Sequence, residues 1–264
     1  WIYMNTHAAL WKRVHMVGIK GVAMAAMAVY LTQMGVKVTG SDVTDEFPTD
    51  SELARLHIPV FAGFDTGHVR QKKLPDAVIY TGAHSGRDNP EVIAAMALNV
   101  PVFPHGIALG MIMEGYRQIA VGGSHGKTTT SAMIAAILES AGAKPSYAIG
   151  CGSIGGLGAA GKFGKGTWFV AEADEYVTDP GHDQTPRFLW LKPEIFVVTN
   201  IDFDHPDVYT DLAAVQDAFV RLQKQQAAQQ LTVVNIDDPK SAPLLSGKHV
   251  ITYGFSPRAD VRIS

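Results

Sequence analysis

Two hydrophobic periods alternate along the first part of the chain. The apolar run Val-His-Met-Val at 14–17 predicts a buried strand, 18–21 a turn with glycine at each end, and 22–34 an Ala- and Met-rich helix closed by Gly35. Residues 36–39 predict the next strand, which ends at Ser41 and Asp42, and 51–57 a helix leading into an apolar run at 58–61. Another strand is expected at 76–80. Pro90 and Glu91 open a helix that runs to Leu98, because proline is tolerated at the first helical position and an acid suits the positive end of the helix dipole. A strand at 100–103 follows. Strands separated by helices at this spacing predict an α/β fold with a parallel sheet covered on both faces.

A second unit is expected to begin near Arg117. There a strand at 118–121 runs into a glycine-rich turn and a helix at 128–140 closed by Gly142. Further strands are predicted at 168–171, 195–199, 231–235 and 249–253, with a helix from 212 to about 226. The segment 104–116 reads as the join between the units. The stretch 150–166 is so rich in glycine that it reads as mobile loop or irregular turns, and the glutamine-biased 223–230 as a solvated helix end. No internal repeat is found. Met24, Met27 and Met34 read as core packing. The expected domains are 1–116 and 117–264.

Composition narrows the class. A length of 264 residues suits two domains at about 150 residues each, and 47% hydrophobic against 18% charged residues is enough to bury a real core. The net charge of -3, from 22 basic and 25 acidic residues, leaves no excess to neutralise a phosphate backbone, so no nucleic-acid partner is expected. Cys151 stands alone, which excludes an internal disulfide and a thiolate metal site and suits a reducing compartment. No run approaches the roughly 18 apolar residues of a membrane span. The first residues lack the pattern of a signal peptide. A cytoplasmic protein without membrane insertion is the expectation. Nothing in the sequence sets an oligomeric state.

The candidate chemistry sits at strand ends. Gly122-Gly123-Ser124-His125-Gly126-Lys127-Thr128-Thr129 lies between an apolar strand and an apolar helix, where a glycine-rich loop cradles phosphate on backbone N–H groups. Lys127 would neutralise the β/γ-phosphates and the Thr128 hydroxyl would bind Mg²⁺. Val121 stands where the common triphosphate loop has its first glycine, so this loop is a shorter variant. The strand at 168–171 discharges into Glu172-Ala173-Asp174-Glu175, where a Mg²⁺-binding carboxylate belongs. The strand at 195–199 ends in Asn200-Ile201-Asp202-Phe203-Asp204-His205. In an open parallel sheet these ends share one crevice, so His205 is a candidate metal or phosphate group. The turn Gly18-Ile19-Lys20-Gly21 matches the dinucleotide fingerprint in part, with Lys20 replacing the second glycine; with Asp42 at the next strand end it is a candidate diphosphate site.

Together, His15-Met16-Val17-Gly18, Thr39-Gly40-Ser41-Asp42, Asn89-Pro90-Glu91, Gly123 to Thr130, Glu172 to Glu175 and Thr199 to His205 resemble the Mur ligases, in the family's order and with its shortened loop. The resemblance implies an amino-terminal Rossmann-like domain holding a UDP-sugar, a P-loop-type ATPase domain, and a third domain that this sequence lacks, so the chain would be truncated and inactive by itself. It implies ATP and Mg²⁺ as cofactors, with Gly123, Ser124, His125, Gly126, Lys127, Thr128 and Thr129 at ATP, and Thr128, Glu172 and His205 at Mg²⁺. Gly18, Lys20, Gly21, Asp42, Asn89 and His125 would serve the UDP-sugar. Lys127, Glu172 and His205 would be catalytic. The implied reaction activates the carboxylate of UDP-N-acetylmuramate as an acyl phosphate and joins it to an amino acid or peptide amine. Glu175-Tyr176 and Phe203-Asp204-His205 look like members that attach a recycled murein tripeptide; Pro193-Glu194-Ile195 and Thr199 to Asp202 look like members that add L-alanine, the preferred amine. An NAD(P)-dependent dehydrogenase and a non-catalytic nucleotide-binding module stand as alternatives.

Overall fold

The computed structural model describes residues 10–225 and 230–264. The signal-peptide expectation on 1–9 and the 226–229 part of the expected solvated helix end lie outside those residues. Within the rest of that segment Gln223 is half-buried and donates to the Leu244 carbonyl at 2.9 Å, because the short helix Pro239–Ser246 packs against it. A first sheet is built by β1 (Arg13–Val17), α1 (Val22–Gln33), β2 (Lys37–Asp42), α2 (Asp50–Arg55), β3 (Val60–Ala62), β4 (Ala77–Tyr80), α3 (Pro90–Ala97) and β5 (Val102–Pro104). Its strand order is β3-β2-β1-β4-β5, and every neighbouring pair is parallel. The order reverses between β1 and β4, so the turn after β1 opens at the switch point where such sheets bind ligands.

α4 (His105–Met113) leads into a second sheet. Its elements are β6 (Arg117–Gly122), α5 (Lys127–Ser140), β7 (Ser146–Ile154), β8 (Gly158–Lys162), β9 (Trp168–Ala173), β12 (Ile195–Val198), α6 (Leu212–Gln225), β13 (Leu231–Asn235), β14 (Val250–Gly254) and β15 (Val261–Arg262), while β10 (Val177–Asp179) and β11 (Asp183–Pro186) pair as a separate hairpin. The eight strands run β15-β14-β13-β12-β6-β9-β7-β8, and β7 with β8 is the antiparallel pair. β6 lies between β12 and β9, so the three strands whose ends carry the candidate chemistry are neighbours.

Two expectations need correction, and one element was not expected. The glycine-rich stretch 150–166 is largely strand, spanning the end of β7 and all of β8. Its glycines make room for a neighbouring backbone: a Cβ on Gly161 would lie 1.9 Å from the Ala26 carbonyl oxygen. The join at 104–116 contains α4, whose small and apolar residues carry no strong helical stripe because Gly106, Ala108, Leu109, Ile112 and Met113 are all buried. The hairpin β10–β11 falls in a polar segment without alternation, where periodicity carries no signal.

α1 joins the two sheets. Every residue from Met24 to Leu31 is buried, as expected of a helix covered on all sides. Met24 and Met27 are core residues and Met34 packs partly buried against them. Tyr30 sets its ring 5.1 Å from Phe169 of β9, and its hydroxyl meets that of Tyr116 at 3.2 Å. Among the described residues no helix is long and apolar enough to cross a membrane.

A buried polar network fixes the first sheet behind its turn. Glu91 is fully buried; its Oε2 accepts from His15 Nε2 at 2.9 Å and the Ser41 hydroxyl at 2.5 Å, and its Oε1 accepts from His68 Nδ1 at 2.6 Å and the Asp65 N–H at 3.0 Å. Burial alone would raise its pKa, but His15, Ser41 and His68 together hold it below the ordinary value of 4.5. A carboxyl depressed by folding stabilises the fold above its unfolded pKa, and that contribution fades as pH falls through the folded value. Glu91→Gln is therefore expected to cost about 2 kcal/mol or more at neutral pH, the scale of charge-assisted hydrogen bonds. Melting temperatures followed downward from neutral pH should converge for the two proteins in acid; a constant gap would contradict this.

Candidate active site

The loop between β6 and α5 is shaped by glycine at two left-handed positions, Gly123 at φ 134° and Gly126 at φ 82°. A Cβ on Gly123 would lie 2.1 Å from Thr199 Oγ1, so no other residue fits beside β12. α5 has no side-chain cap, which leaves its first N–H groups facing outward for an anion. The segment after β12 holds the loop from below. Thr199 Oγ1 donates to the His125 carbonyl at 2.6 Å, Asn200 Nδ2 donates to the same oxygen at 2.8 Å, and the His125 N–H donates to Asn200 Oδ1 at 2.9 Å. Ser124 Oγ accepts from the Asp202 N–H at 2.7 Å, and Lys240 pairs with Asp202 at 2.7 Å. His125, Gly126 and Thr129 are exposed, while Ser124 and Thr128 are half-buried.

Lys127 Nζ donates to the Gly123 carbonyl at 2.6 Å and to Glu175 Oε2 at 3.0 Å. Glu175, only 2% exposed, also faces His205 Nε2 at 3.7 Å, and Tyr176 lies edge-on to the His205 ring at 5.2 Å. Burial and then Asp174 push the Glu175 carboxyl up, against the pull of Lys127. Glu172 Oε1 accepts from the Gly150 N–H at 2.7 Å. Asp174 pairs with Arg187 Nη1 at 2.7 Å, and although burial acts against it, Arg187, the Tyr176 N–H and Lys127 hold Asp174 below its ordinary range. Lys127 and Glu172 thus line one cavity, while His205 reaches Lys127 through Glu175. Glu175 was absent from the expected site set; the acidic run was a visible signal, but only packing shows which carboxylate turns inward.

The turn after β1 is equally constrained. Gly18 has φ 78°, and a Cβ there would lie 2.3 Å from Thr81 Cγ2. Its N–H and that of Ile19 donate to the Ser41 carbonyl. Asp42 is 1% exposed: one oxygen accepts from the Lys20 N–H at 2.7 Å and the other lies 3.4 Å from His84 Nε2. Its carboxylate holds the turn in shape from beneath. Lys20 sends its ammonium to the Asp45 carbonyl at 2.8 Å and to Asp50 at 3.4 Å. Asn89 is likewise 1% exposed and caps α3, accepting from the Glu91 N–H at 3.0 Å and donating to the His84 carbonyl at 3.0 Å. Both of its side-chain polar atoms are occupied by the protein. Gly21 precedes α1, which has no side-chain cap.

A cavity of about 320 Å³ lies between the start of α1 and the start of α5. Val22 and Ala23 at the start of α1 form one side, Lys127, Glu172 and Asp174 another, and His105, Gly106 and Leu109 of α4 with Arg187 and Phe188 close it. Small-ligand sites begin near about 300 Å³ and carry a few convergent polar groups in an apolar lining. His105 was not expected here. Burial and then Arg187 push its imidazole down to about 4, against Asp174 and the Ala23 backbone, so the ring is neutral at pH 7.

Residues 13–117 match the Mur ligase family, catalytic domain, and 121–264 match the Mur ligase middle domain. The chain belongs to the Mur ligase family. Among curated Mur ligases it is 39% identical over 253 residues to the UDP-N-acetylmuramate--L-alanine ligase of Stenotrophomonas maltophilia (strain K279a), covering 95% of this chain and 50% of that protein. It is 36% identical to the enzyme of the same name from Myxococcus xanthus (strain DK1622), over 99% of this chain and 52% of that one. The chain thus spans about half the length of the curated relatives it matches. Among solved structures, UDP-N-acetylmuramate:L-alanyl-gamma-D-glutamyl-meso-diaminopimelate ligase from Neisseria meningitides aligns with TM-score 0.82 at 29% identity, over 92% of this chain and 78% of that chain. The UDP-N-acetylmuramate-alanine ligase of Thermotoga maritima aligns with TM-score 0.74 at 28% identity, over 92% and 52%. These Mur ligase neighbours share the mixed α/β architecture with parallel sheets found here.

Proposed function

We propose that this chain is the UDP-sugar-binding and ATP-binding part of a ligase that joins L-alanine to UDP-N-acetylmuramate in peptidoglycan precursor synthesis, with residues 1–116 holding the sugar nucleotide and 117–264 holding ATP. The observation that carries the reading is the cavity between the start of α1, which directly follows the Gly18 turn, and Lys127, because an acceptor anchored at that turn must reach a γ-phosphate at the second. The loop suits a triphosphate: its glycines open the backbone and the N–H groups at the start of α5 carry no side-chain cap. Mg²⁺ is held through one or two carboxylates plus substrate phosphates. Thr128 and Glu172 would supply the hard oxygen donors for it, and His205, whose contact with the site runs through Glu175, would act from beside that carboxylate; bound there, the ion would offset phosphate charge.

Lys127 would draw charge from the transferring phosphoryl group toward a fixed ammonium that Glu175 and Gly123 already orient. The acceptor carboxylate would attack the γ-phosphate, releasing ADP, and the amine would then displace phosphate from the acyl phosphate to leave the amide. Positioning supplies most of such a barrier reduction. The runner-up amine is a recycled murein tripeptide, favoured by the likeness to the Neisseria ligase, whose name carries a tripeptide.

Calorimetric titration of the chain with UDP-N-acetylmuramate, with NADH as the comparison ligand, tests the reading. Saturable binding of the sugar nucleotide alone is expected. Binding of NADH alone would return the first turn to a dehydrogenase.

A further inference from the structure

Two cations line the cavity, and they differ in what they are free to do. Lys127 is committed to Gly123 and Glu175. Arg187 sits just after β11 and spends Nη1 on Asp174 at 2.7 Å and Nε on the Val177 carbonyl at 3.0 Å, while its Nη2 makes no hydrogen bond among the described residues. Two glycines of the first half make room for it. A Cβ on Gly82, just past β4, would lie 3.3 Å from Arg187 Nη2, and one on Gly106 in α4 would lie 3.1 Å from Arg187 Cβ. The guanidinium therefore bridges the seam between the two sheets, beside the neutral His105.

An acceptor carboxylate entering this cavity meets Glu172 and Asp174. Repulsion between like charges a few ångströms apart in a poorly solvated space must be offset by a directed donor. A planar guanidinium already locked on two of its edges presents its remaining N–H pair in a fixed direction at little further entropic cost. Resting on the reaction proposed above, we infer that Arg187, through Nη2, takes the carboxylate of the sugar nucleotide and so selects a carboxylated acceptor over its counterpart without the carboxyethyl ether. Asp174 and the Val177 carbonyl then serve to aim Arg187, and the uncharged His105 avoids a second cation competing for the same anion.

The test compares UDP-N-acetylmuramate with UDP-N-acetylglucosamine, which lacks the carboxyethyl ether, by calorimetry on the wild-type chain, Arg187→Gln and Arg187→Lys. The wild type is expected to prefer the carboxylated nucleotide by at least about tenfold, the scale of one charge-assisted hydrogen bond. Arg187→Gln should remove the preference by weakening only the carboxylated ligand, and Arg187→Lys should retain part of it. Equal wild-type affinities, or an undiminished preference in Arg187→Gln, would overturn the assignment while leaving the sugar-nucleotide site standing. A wild type that binds neither nucleotide would overturn both. A readout independent of variant folding is the ¹⁵N spectrum of the Arg187 guanidinium in the wild type. Its Nη2 signal should shift with UDP-N-acetylmuramate and stay in place with UDP-N-acetylglucosamine, and an unmoved signal with both would overturn the assignment.

Discussion

Lys127→Ala is expected to weaken binding of ATP in the presence of Mg²⁺ by about 10- to 100-fold, the range set by losing one charged hydrogen-bond donor. The sugar-nucleotide affinity should stay within about twofold, because Lys127 spends its side-chain hydrogen bonds on Gly123 and Glu175 and, among the described residues, shares none with the Gly18 turn. The same substitution strips Glu175 of its 3.0 Å partner inside a site where that carboxylate is 2% exposed. Burial already raises its pKa, so without the ammonium Glu175 takes up a proton more readily. Glu175→Gln placed on top of Lys127→Ala should therefore recover stability without recovering ATP affinity. Titration calorimetry and thermal melting on the single and double variants separate the two effects. Unchanged ATP affinity in Lys127→Ala would remove the loop from the nucleotide site.

Gly161→Ala is expected to be among the most damaging single substitutions in the chain. The added Cβ would lie 1.9 Å from the Ala26 carbonyl oxygen, 2.8 Å from its carbon and 3.0 Å from the Ala26 Cα. All three atoms are backbone, so no rotamer change relieves the contact, and α1 must move off β8 as a body. Such overpacking at a main-chain contact is expected to cost about 4 kcal/mol or more, at the upper end of single-substitution effects. Gly155→Ala is the matched control. Nothing lies within 4 Å of its added Cβ, and its cost should stay within about 0.5 kcal/mol. Urea denaturation of both variants reads the difference directly, and equal stabilities would show that α1 does not rest on β8 as described.

The Gly161 contact also shows where pattern reading runs out. Glycine between 150 and 166 carries two opposite meanings, a flexible turn or a surface shaved down for a close neighbour, and composition cannot tell them apart. Here the neighbour is a helix more than a hundred residues away in the chain. Asp42 and Asn89 show the same limit for polar residues. Each stands where a ligand-binding side chain was expected, yet each spends its polar atoms on the protein, one on the Lys20 N–H and the other on the first turn of α3.

The alternating strands and helices, the phosphate-type loop from Gly123 to Thr129 and the family resemblance were legible from the sequence by itself, because periodicity and backbone anion recognition are properties of contiguous residues. Tertiary structure alone decided which carboxylate of the run from Glu172 to Glu175 faces Lys127, which glycines are contacts rather than hinges, and that Arg187 turns into the cavity between the sheets. Those outcomes depend on what packs opposite each side chain, and a partner brought in from a distant part of the chain leaves no local mark on the residue that meets it.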